Sequence, residues 1–399
     1  MGSNSKIEWT DHTFNPWRGC QRVSPGCVHC YAAAQSKRNP SLLGVWGPEA
    51  VEGKRVLAAE SMWAQPLKWN EQAEKAGVRQ KVFCASFADV FESWFGPIVN
   101  GAGDAWIKPY SQREWGHEHW DTADLESMKR DPQGWQLVTM SDVLNRLFKL
   151  TQATPWLDWL LVTKRPENIL PMWNLSEPMI DLAGIEPGEV PRYRKKPLSN
   201  VWLGTSVENQ EMAYKRIPQL LRCRELSPVL FLSCEPLLGP VDLTLIPPIN
   251  RNAPCSTNVL SGVTYWPEGD TDTGASIDWV ICGGESGKEK SIRPMHPNWA
   301  RTLRDQCLAA DVPFFYKQHG EWIGMPDYDC FTHGMNLDSH PHRMMFSNGK
   351  FADEIPREER YSYSQRIEEL PVSVMRVGKK AAGRLLDGFE HNGMPEVRE

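Results

Sequence analysis

Three cysteines near the start of the chain are the feature that most limits what it can fold around. Cys20, Cys27 and Cys30 lie within eleven residues, spaced C-x6-C-x2-C. The surrounding stretch, Asn15 to Tyr31, holds two prolines and two glycines, so we expect an irregular loop up to Cys30. Three thiolates without an evident fourth ligand suit an iron–sulfur cluster with one free iron, or a metal ion with a vacant position. Three unrelated thiols, or one disulfide and a free thiol, are the plainer alternative.

The composition is that of an ordinary globular protein. The 399 residues are 41% hydrophobic and 24% charged, without an apolar run long enough to cross a bilayer. The N-terminus lacks the apolar core of a signal peptide, so we expect a cytoplasmic protein without a membrane partner, its ten cysteines reduced. The net charge of −6 argues against a protein whose whole surface binds nucleic acid, but it is compatible with a local basic groove.

Apolar runs alternate with helical patterns along most of the chain. Helices are predicted at 31–38, at 141–150 and at 297–311. Near-continuous apolar strands are predicted at 81–91, 157–166, 200–208, 229–236, 277–287 and 312–318. Their alternation with helices indicates a parallel sheet covered by helices, hence an α/β fold. Strand carboxyl ends build the sites of barrels and of open α/β sheets. In this sequence polar residues follow each predicted strand: Asp89; Lys164 and Arg165; Ser206 and Glu208; Glu235; Glu285; Lys317 and Gln318.

Three stretches interrupt this pattern and are predicted to be irregular insertions. We expect one α/β body over 1–323 with insertions at about 101–136 and 250–276, a third insertion at 324–372, and a C-terminal helix and tail at 373–399. Two clusters of polar residues are candidate binding groups. One could bind zinc (Cys330, His333, His340, His342), and the other is a basic run (Arg192, Arg194, Lys195, Lys196).

Several short motifs together resemble a known family. They include Ile7-Glu8-Trp9-Thr10, Asn15-Pro16 with the three-cysteine loop, Asp89-Val90-Phe91, Thr163-Lys164-Arg165-Pro166, Asn200-Val201-Trp202-Leu203-Gly204, Cys234-Glu235-Pro236-Leu237-Leu238, Gly283-Gly284-Glu285-Ser286-Gly287, Phe314-Phe315-Tyr316-Lys317-Gln318 and Gly378-Lys379-Lys380-Ala381-Ala382-Gly383-Arg384. The chain thereby resembles the phage-associated family named after mycobacteriophage gene products thirty-seven and sixty-eight. The cysteine loop resembles that of radical S-adenosylmethionine enzymes, although their first gap is three residues rather than six.

The resemblance implies a fold, cofactors and roles. It implies a partial or complete (β/α) barrel in which Cys20, Cys27 and Cys30 ligate a [4Fe–4S] cluster that binds S-adenosylmethionine. An electron from a flavodoxin- or ferredoxin-type donor would then yield a 5′-deoxyadenosyl radical that abstracts hydrogen from the substrate. Predicted catalytic residues besides the cysteines are Lys164 and Glu235. Predicted cofactor-binding residues are Asp89, Lys164, Arg165, Ser206, Glu208, Glu235, Gly283, Gly284, Glu285 and Lys317.

The substrate and the class of activity have alternatives. Family members in phage genomes, and a looser likeness to spore photoproduct lyase, imply a nucleobase in DNA, such as a modified thymine in phage DNA hypermodification or repair. A zinc-stabilised nucleic-acid-binding module without catalysis is a second hypothesis, with His29 or Cys84 as the fourth ligand. A third is a hydrolase that uses the strand-end carboxylates Asp89, Glu208, Glu235 and Glu285.

Overall fold

The structure is a computed structural model of the chain. It describes residues 5, 7–47, 53–96, 98–99, 107–109, 135–137, 139–175, 197–249, 253–324, 342–366 and 371–396. The chain is divided into two compact units. The first comprises Met1–Val23, Ala32–Leu203 and Glu225–Pro228, and the second comprises Ser24–Tyr31, Gly204–Arg224 and Val229–Glu399. The cysteine loop therefore contributes Cys20 to the first unit and both Cys27 and Cys30 to the second.

Strands and helices are numbered here in chain order. The strands are β1 His12–Phe14, β2 Trp17–Arg18, β3 Arg55–Leu57, β4 Gln80–Cys84, β5 Ile98–Val99, β6 Ile107–Pro109, β7 Trp135–Leu137, β8 Leu157–Thr163, β9 Val201–Ser206, β10 Leu230–Cys234, β11 Ser256–Asn258, β12 Val263–Tyr265, β13 Thr271–Thr273, β14 Trp279–Gly283, β15 Phe314–Gln318, β16 Trp322–Gly324, β17 His342–Met345 and β18 Val372–Arg376. The helices are α1 Tyr31–Ser36, α2 Pro40–Leu43, α3 Glu60–Trp63, α4 Gln65–Ala76, α5 Met140–Ala153, α6 Ile169–Leu175, α7 Gln210–Leu221, α8 Pro297–Ala309, α9 Arg360–Arg366 and α10 Lys379–Ala382.

The largest sheet has seven strands in the order β1-β4-β8-β9-β10-β14-β15. The first unit contains β1, β4, β8 and the first half of β9, and the second contains the rest of β9 with β10, β14 and β15. Strands β1, β4 and β8 pair in parallel, as do β10, β14 and β15. The strand order follows the chain without reversal, as in a β/α barrel and unlike a doubly wound sheet. The predicted α/β class is confirmed, and the order is compatible with a partial barrel.

Burial explains why these segments became strands. Every residue of β9, β10 and β14 is buried, which is the expected pattern for a parallel sheet covered on both faces. Helix α5 shows the complementary pattern. The Thr139 side chain and Asp142 form a capping box at its start, and Val143, Leu144 and Leu147 lie on its buried face.

Two predicted insertions contain regular structure. Within 250–276 the strands β11, β12 and β13 form an antiparallel sheet. Strands β16, β18 and β17 form another, so the described part of 324–372 is not irregular either. The prediction was wrong here because strands of three to five residues with polar or mixed sequences give almost no periodic signal. Of the 101–136 insertion, only β6 and β7 belong to the described residues, and they pair with each other. Among the helices of the described ranges, none has the length and apolarity needed to span a membrane.

Candidate functional site

Arg165 is the centre of a buried polar cluster in the first unit, which we call the Arg165 site (Cys20, Asp89, Glu92 and Arg165). Its guanidinium donates to Asp89 Oδ2 at 2.9 Å and lies 3.3 Å from Glu92 Oε1. It also donates to the backbone carbonyl of Gln21 at 3.0 Å and to Cys20 Sγ at 3.8 Å. Arg165 follows β8 by two residues and Asp89 follows β4 by five, so strand-end side chains hold the first part of the cysteine loop.

The two carboxylates of this site have further partners. Asp89 accepts from the Thr163 hydroxyl at 2.6 Å and from the Lys164 backbone N–H at 3.0 Å. Glu92 pairs with Arg55, which donates from Nε at 2.7 Å and is itself fully buried. Two buried arginines therefore balance two buried carboxylates, which satisfies the requirement that buried charges be paired.

The Cys20 thiol lies in this charged surrounding and is buried. Burial raises the pKa of Cys20, and the nearby Glu92 and Asp89 carboxylates raise it further, whereas the Arg165 guanidinium acts in the opposite direction. These surroundings favour the thiol form of Cys20 more than exposure to water would. A bound cation would favour the thiolate, because metal ligation removes the proton from a coordinating thiol.

Glu208 holds the middle of the cysteine loop in the second unit. This fully buried residue, two positions after β9, accepts from the Ser24 hydroxyl at 2.6 Å and pairs with Arg216 of α7 at 2.6 Å. Gly26 packs directly against it, since a Cβ at Gly26 would lie 2.5 Å from Glu208 Oε1. Ser24 also lies 3.7 Å from Cys27 Sγ. We call Ser24, Gly26, Glu208 and Arg216 the Glu208 site.

Glu285 holds the last part of the loop, also within the second unit. Its carboxylate contacts His29 Nδ1 at 2.9 Å, accepts from the backbone N–H and Nε of Arg293 at 2.9 and 3.0 Å, and bonds an Arg293 terminal nitrogen. Arg293 in turn donates to the Pro25 carbonyl at 3.0 Å. Burial would raise the pKa of Glu285, but the bonds from Arg293 and His29 outweigh it and lower the pKa. We call Glu285, His29 and Arg293 the Glu285 site.

Other predicted site residues have partners within the second unit. Lys317 forms an ion pair with Glu235 at 2.6 Å, across the ends of β15 and β10. Ser206 is buried at the end of β9, and its backbone carbonyl accepts from Arg216. Gly284 is a glycine for a packing reason, because a Cβ there would collide with the His319 backbone. A Cβ on Gly283 would make only ordinary contact with Glu235.

Sequence reasoning missed the arginines that complete these sites. Arg216 and Arg293 were not predicted to take part, nor were Arg55 and Glu92. Glu208 lies 184 positions from Ser24, and Glu285 lies 256 positions from His29, so no local pattern joins them. The one available signal was the repeated placement of polar residues after apolar strands. Lys164 is half-buried, and its backbone N–H bonds Asp89.

The donor set fits an iron–sulfur cluster in its chemistry. None of Cys20, Cys27 and Cys30 is in a disulfide, and the Arg165 guanidinium places a positive group on the sulfur of Cys20, as suits an anionic cluster. Within the part of the chain that the structure describes, no three His, Cys, Asp or Glu side chains are already gathered as a metal-binding group. Of the other candidate groups, Arg192, Arg194, Lys195 and Lys196, with Cys330, His333 and His340, lie outside the described residues.

Comparison with known proteins gives one positive result. A family model described as "Protein of unknown function (DUF5131)" matches residues 4–97 and 136–395. This match covers most of the chain and includes every residue of the Arg165, Glu208 and Glu285 sites. No curated protein and no solved structure matches the chain.

Proposed function

The chain belongs to this DUF5131 family, whose description assigns no activity, and from its own residues we propose that it is a radical S-adenosylmethionine enzyme. In this proposal Cys20, Cys27 and Cys30 hold a [4Fe–4S] cluster. The observation that carries it is a set of three cysteines within eleven residues, none of them in a disulfide, whose loop bonds strand-end charges at Gln21, Ser24 and His29. The cluster and S-adenosylmethionine would together supply one-electron cleavage of the sulfonium and hydrogen-atom abstraction.

The residues of the three sites then act on the loop. Arg165 offsets negative charge at Cys20, and its bond to the Gln21 carbonyl fixes the backbone next to that cysteine. Glu208 and Glu285 fix the backbone around Cys27 and Cys30 through Ser24, His29 and Arg293. Loops that carry metal ligands need such support, because outer partners set ligand orientation and affinity.

Cofactor binding is assigned to the remaining predicted residues. Lys164 would bind the carboxylate of S-adenosylmethionine, since the Arg165 guanidinium already has four protein acceptors. Glu235 with Lys317, together with Ser206, would bind its amino and ribose groups. A flavodoxin- or ferredoxin-type protein would deliver the electron, and a nucleobase in DNA is the proposed substrate.

The test is anaerobic reconstitution of the full chain with iron and sulfide. We expect a brown protein that releases 5′-deoxyadenosine when S-adenosylmethionine and a reductant are added. Cys20→Ala, Cys27→Ala and Cys30→Ala should each lose the colour and the product. Cys255→Ala is the matched control, because Cys255 is a free, half-buried cysteine outside the loop.

Other outcomes identify the competing functions. A colourless protein that binds zinc through the same three cysteines, with no cleavage of S-adenosylmethionine, would replace the enzyme by a zinc-stabilised module. Activity without reductant or S-adenosylmethionine that requires Asp89 or Glu235 would favour a hydrolase.

A further inference from the structure

A cavity of about 360 Å³ lies within the first unit and adjoins the Arg165 site at Gln21, but none of its lining side chains has a role assigned above. It falls within the size range of small-molecule sites. Its lining comes from the cysteine loop, from α1, and from the segment that precedes β3: Gln21, Arg22, Ala33, Ser36, Lys37, Pro40, Val45, Trp46 and Gly47. The Gly47 N–H donates to the Cys20 carbonyl at 3.1 Å, so the cavity adjoins the backbone of the first cysteine.

The lining combines an apolar interior with positive charge. Ala33, Pro40 and Val45 supply aliphatic surface, and Trp46 adds a flat aromatic ring. The Trp46 indole N–H is buried and has no acceptor among the residues that the structure describes. An apolar pocket with a few directed polar groups is the usual form of a ligand site, and a buried indole N–H normally has a partner.

Two cations give the cavity its charge. Arg22 and Lys37 are both exposed lining residues, and neither forms an ion pair with the described part of the chain. The chain as a whole has a net charge of −6, so the positive charge of this pair is opposite in sign to that of the protein. Arginine and lysine together, unneutralised by carboxylates, are the groups that bind phosphate.

We propose that this cavity binds a nucleotide unit, with the base against Trp46 and the phosphate between Arg22 and Lys37. A base has carbonyl oxygens that accept from the Trp46 indole N–H, which lies in the plane of the ring, and a flat apolar face that suits the aliphatic wall of the cavity. The phosphate supplies the negative charge that the two cations lack. The proposal rests on the proposed function for one point only, that the bound nucleotide is the substrate class of the neighbouring cysteine site.

The test is calorimetric titration of the full chain with thymidine 5′-monophosphate, without cluster or reductant. Thymidine and inorganic phosphate, each carrying half of the recognition, should bind at least about tenfold more weakly. Arg22→Ala and Lys37→Ala should each weaken binding of the monophosphate by about tenfold or more, because each removes a charge-assisted bond. Trp46→Phe removes one neutral donor, the indole N–H, and should weaken binding by less than the loss of either cation.

Arg38→Ala is the matched control. Arg38 is an exposed cation next to Lys37 that does not line the cavity, so its loss should leave binding unchanged. Equal loss in Arg38→Ala and Lys37→Ala would show general charge attraction and overturn the proposal. Thermal unfolding of each variant shows whether the fold is retained.

Two further titrations separate the sources and the rival ligand. A thymidine tetranucleotide that binds more tightly than the monophosphate, with the same dependence on Arg22 and Lys37, would show that the nucleotide belongs to a single strand. A tetranucleotide that binds no more tightly would show that the ligand is a free nucleotide. S-adenosylmethionine has a net positive charge and its carboxylate is assigned to Lys164, so its binding should not depend on Arg22 and Lys37. If instead only S-adenosylmethionine binding is lost in Arg22→Ala and Lys37→Ala, the nucleotide assignment is wrong.

The two proposals can fail separately. Nucleotide binding that depends on Arg22 and Lys37 in a protein that never forms a cluster supports the cavity and refutes the radical enzyme. Cleavage of S-adenosylmethionine by a reconstituted protein that shows no monophosphate binding supports the enzyme and refutes the cavity.

Discussion

The two ends of the cysteine loop are held by opposite charges. At the Arg165 site the central group is a cation, which bonds Asp89, Glu92, a loop carbonyl and the sulfur of Cys20. At the Glu208 and Glu285 sites the central group is a carboxylate, which bonds a loop side chain and an arginine. The cation therefore touches a sulfur, whereas the carboxylates bind loop donors. In the proposed cluster site this arrangement would place positive charge next to one cysteine sulfur and negative charge at the donors that support the loop.

Glu208→Ala should have the largest effect on stability. It leaves Arg216 buried without this carboxylate, and breaking a buried ion pair costs about 3–5 kcal/mol of unfolding free energy. Urea denaturation of the variant and the wild type measures this. Glu211→Ala, an exposed carboxylate in the first turn of α7, is the control and should stay within about 0.5 kcal/mol. A loss below about 1 kcal/mol in Glu208→Ala would mean that the pair does not support this region.

Arg165→Ala should cost less, about 2–3 kcal/mol, although it also removes a central group. Glu92 keeps Arg55, and Asp89 keeps the Thr163 hydroxyl and the Lys164 N–H, so neither carboxylate is left alone. The same denaturation assay measures the loss. Arg165→Lys keeps the charge and should lie between the wild type and Arg165→Ala. Arg165→Ala more destabilising than Glu208→Ala would reverse the comparison.

Gly26→Ala tests how closely the loop packs on Glu208. The added Cβ would lie 2.5 Å from Glu208 Oε1 and 2.6 Å from its Cγ, so a buried, paired side chain must move. We expect a loss of about 1–3 kcal/mol, typical of overpacking. Gly274→Ala, where an added Cβ meets nothing within 4 Å, is the control in the same unit. Equal stability of the two variants would show that the loop moves away from Glu208 without a measurable loss of unfolding free energy.

Asp387 is the centre of an arginine–carboxylate cluster near the surface. Its substitution should have the smallest effect on the free energy of unfolding. Burial would raise its pKa, but Arg301 and Arg304 outweigh burial and lower the pKa to about 2. Because the folded pKa is the lower one, this carboxylate contributes stability above its usual titration range, near pH 4, and the contribution is lost as the pH falls toward 2.

Asp387→Asn should therefore lose less than about 1 kcal/mol at pH 7, as is usual for exposed pairs. Asparagine suits the backbone there, whose φ is +55°. Unfolding measured from pH 7 down to pH 2 should show the gap between wild type and variant closing. A gap that widens toward low pH would contradict the assignment.

Local sequence predicted the strands well and their polar partners poorly. Apolar runs located β8, β9, β10 and β14 to within a few residues, because a strand buried on both faces must be apolar throughout. The same runs showed where polar side chains would follow. They could not show that Arg293 reaches Glu285 and Pro25, because charge pairing in space leaves no periodic trace. The short strands of the small sheets were missed for the related reason that few residues carry each of them.

The hairpin formed by β12 and β13 has a practical consequence. Its turn, from Trp266 to Asp270, is closed by two backbone bonds and a bond from the Trp266 indole to Asp272, and residues 265–274 are exposed. Glu268 at this turn is exposed, and its backbone lies outside the left-handed region that its neighbour Gly269 adopts at a φ of +92°. A fluorophore attached to a cysteine or lysine introduced at Glu268 would extend from the surface at little cost to folding. Such a handle would allow the protein to be captured or followed without a substitution in the cysteine loop.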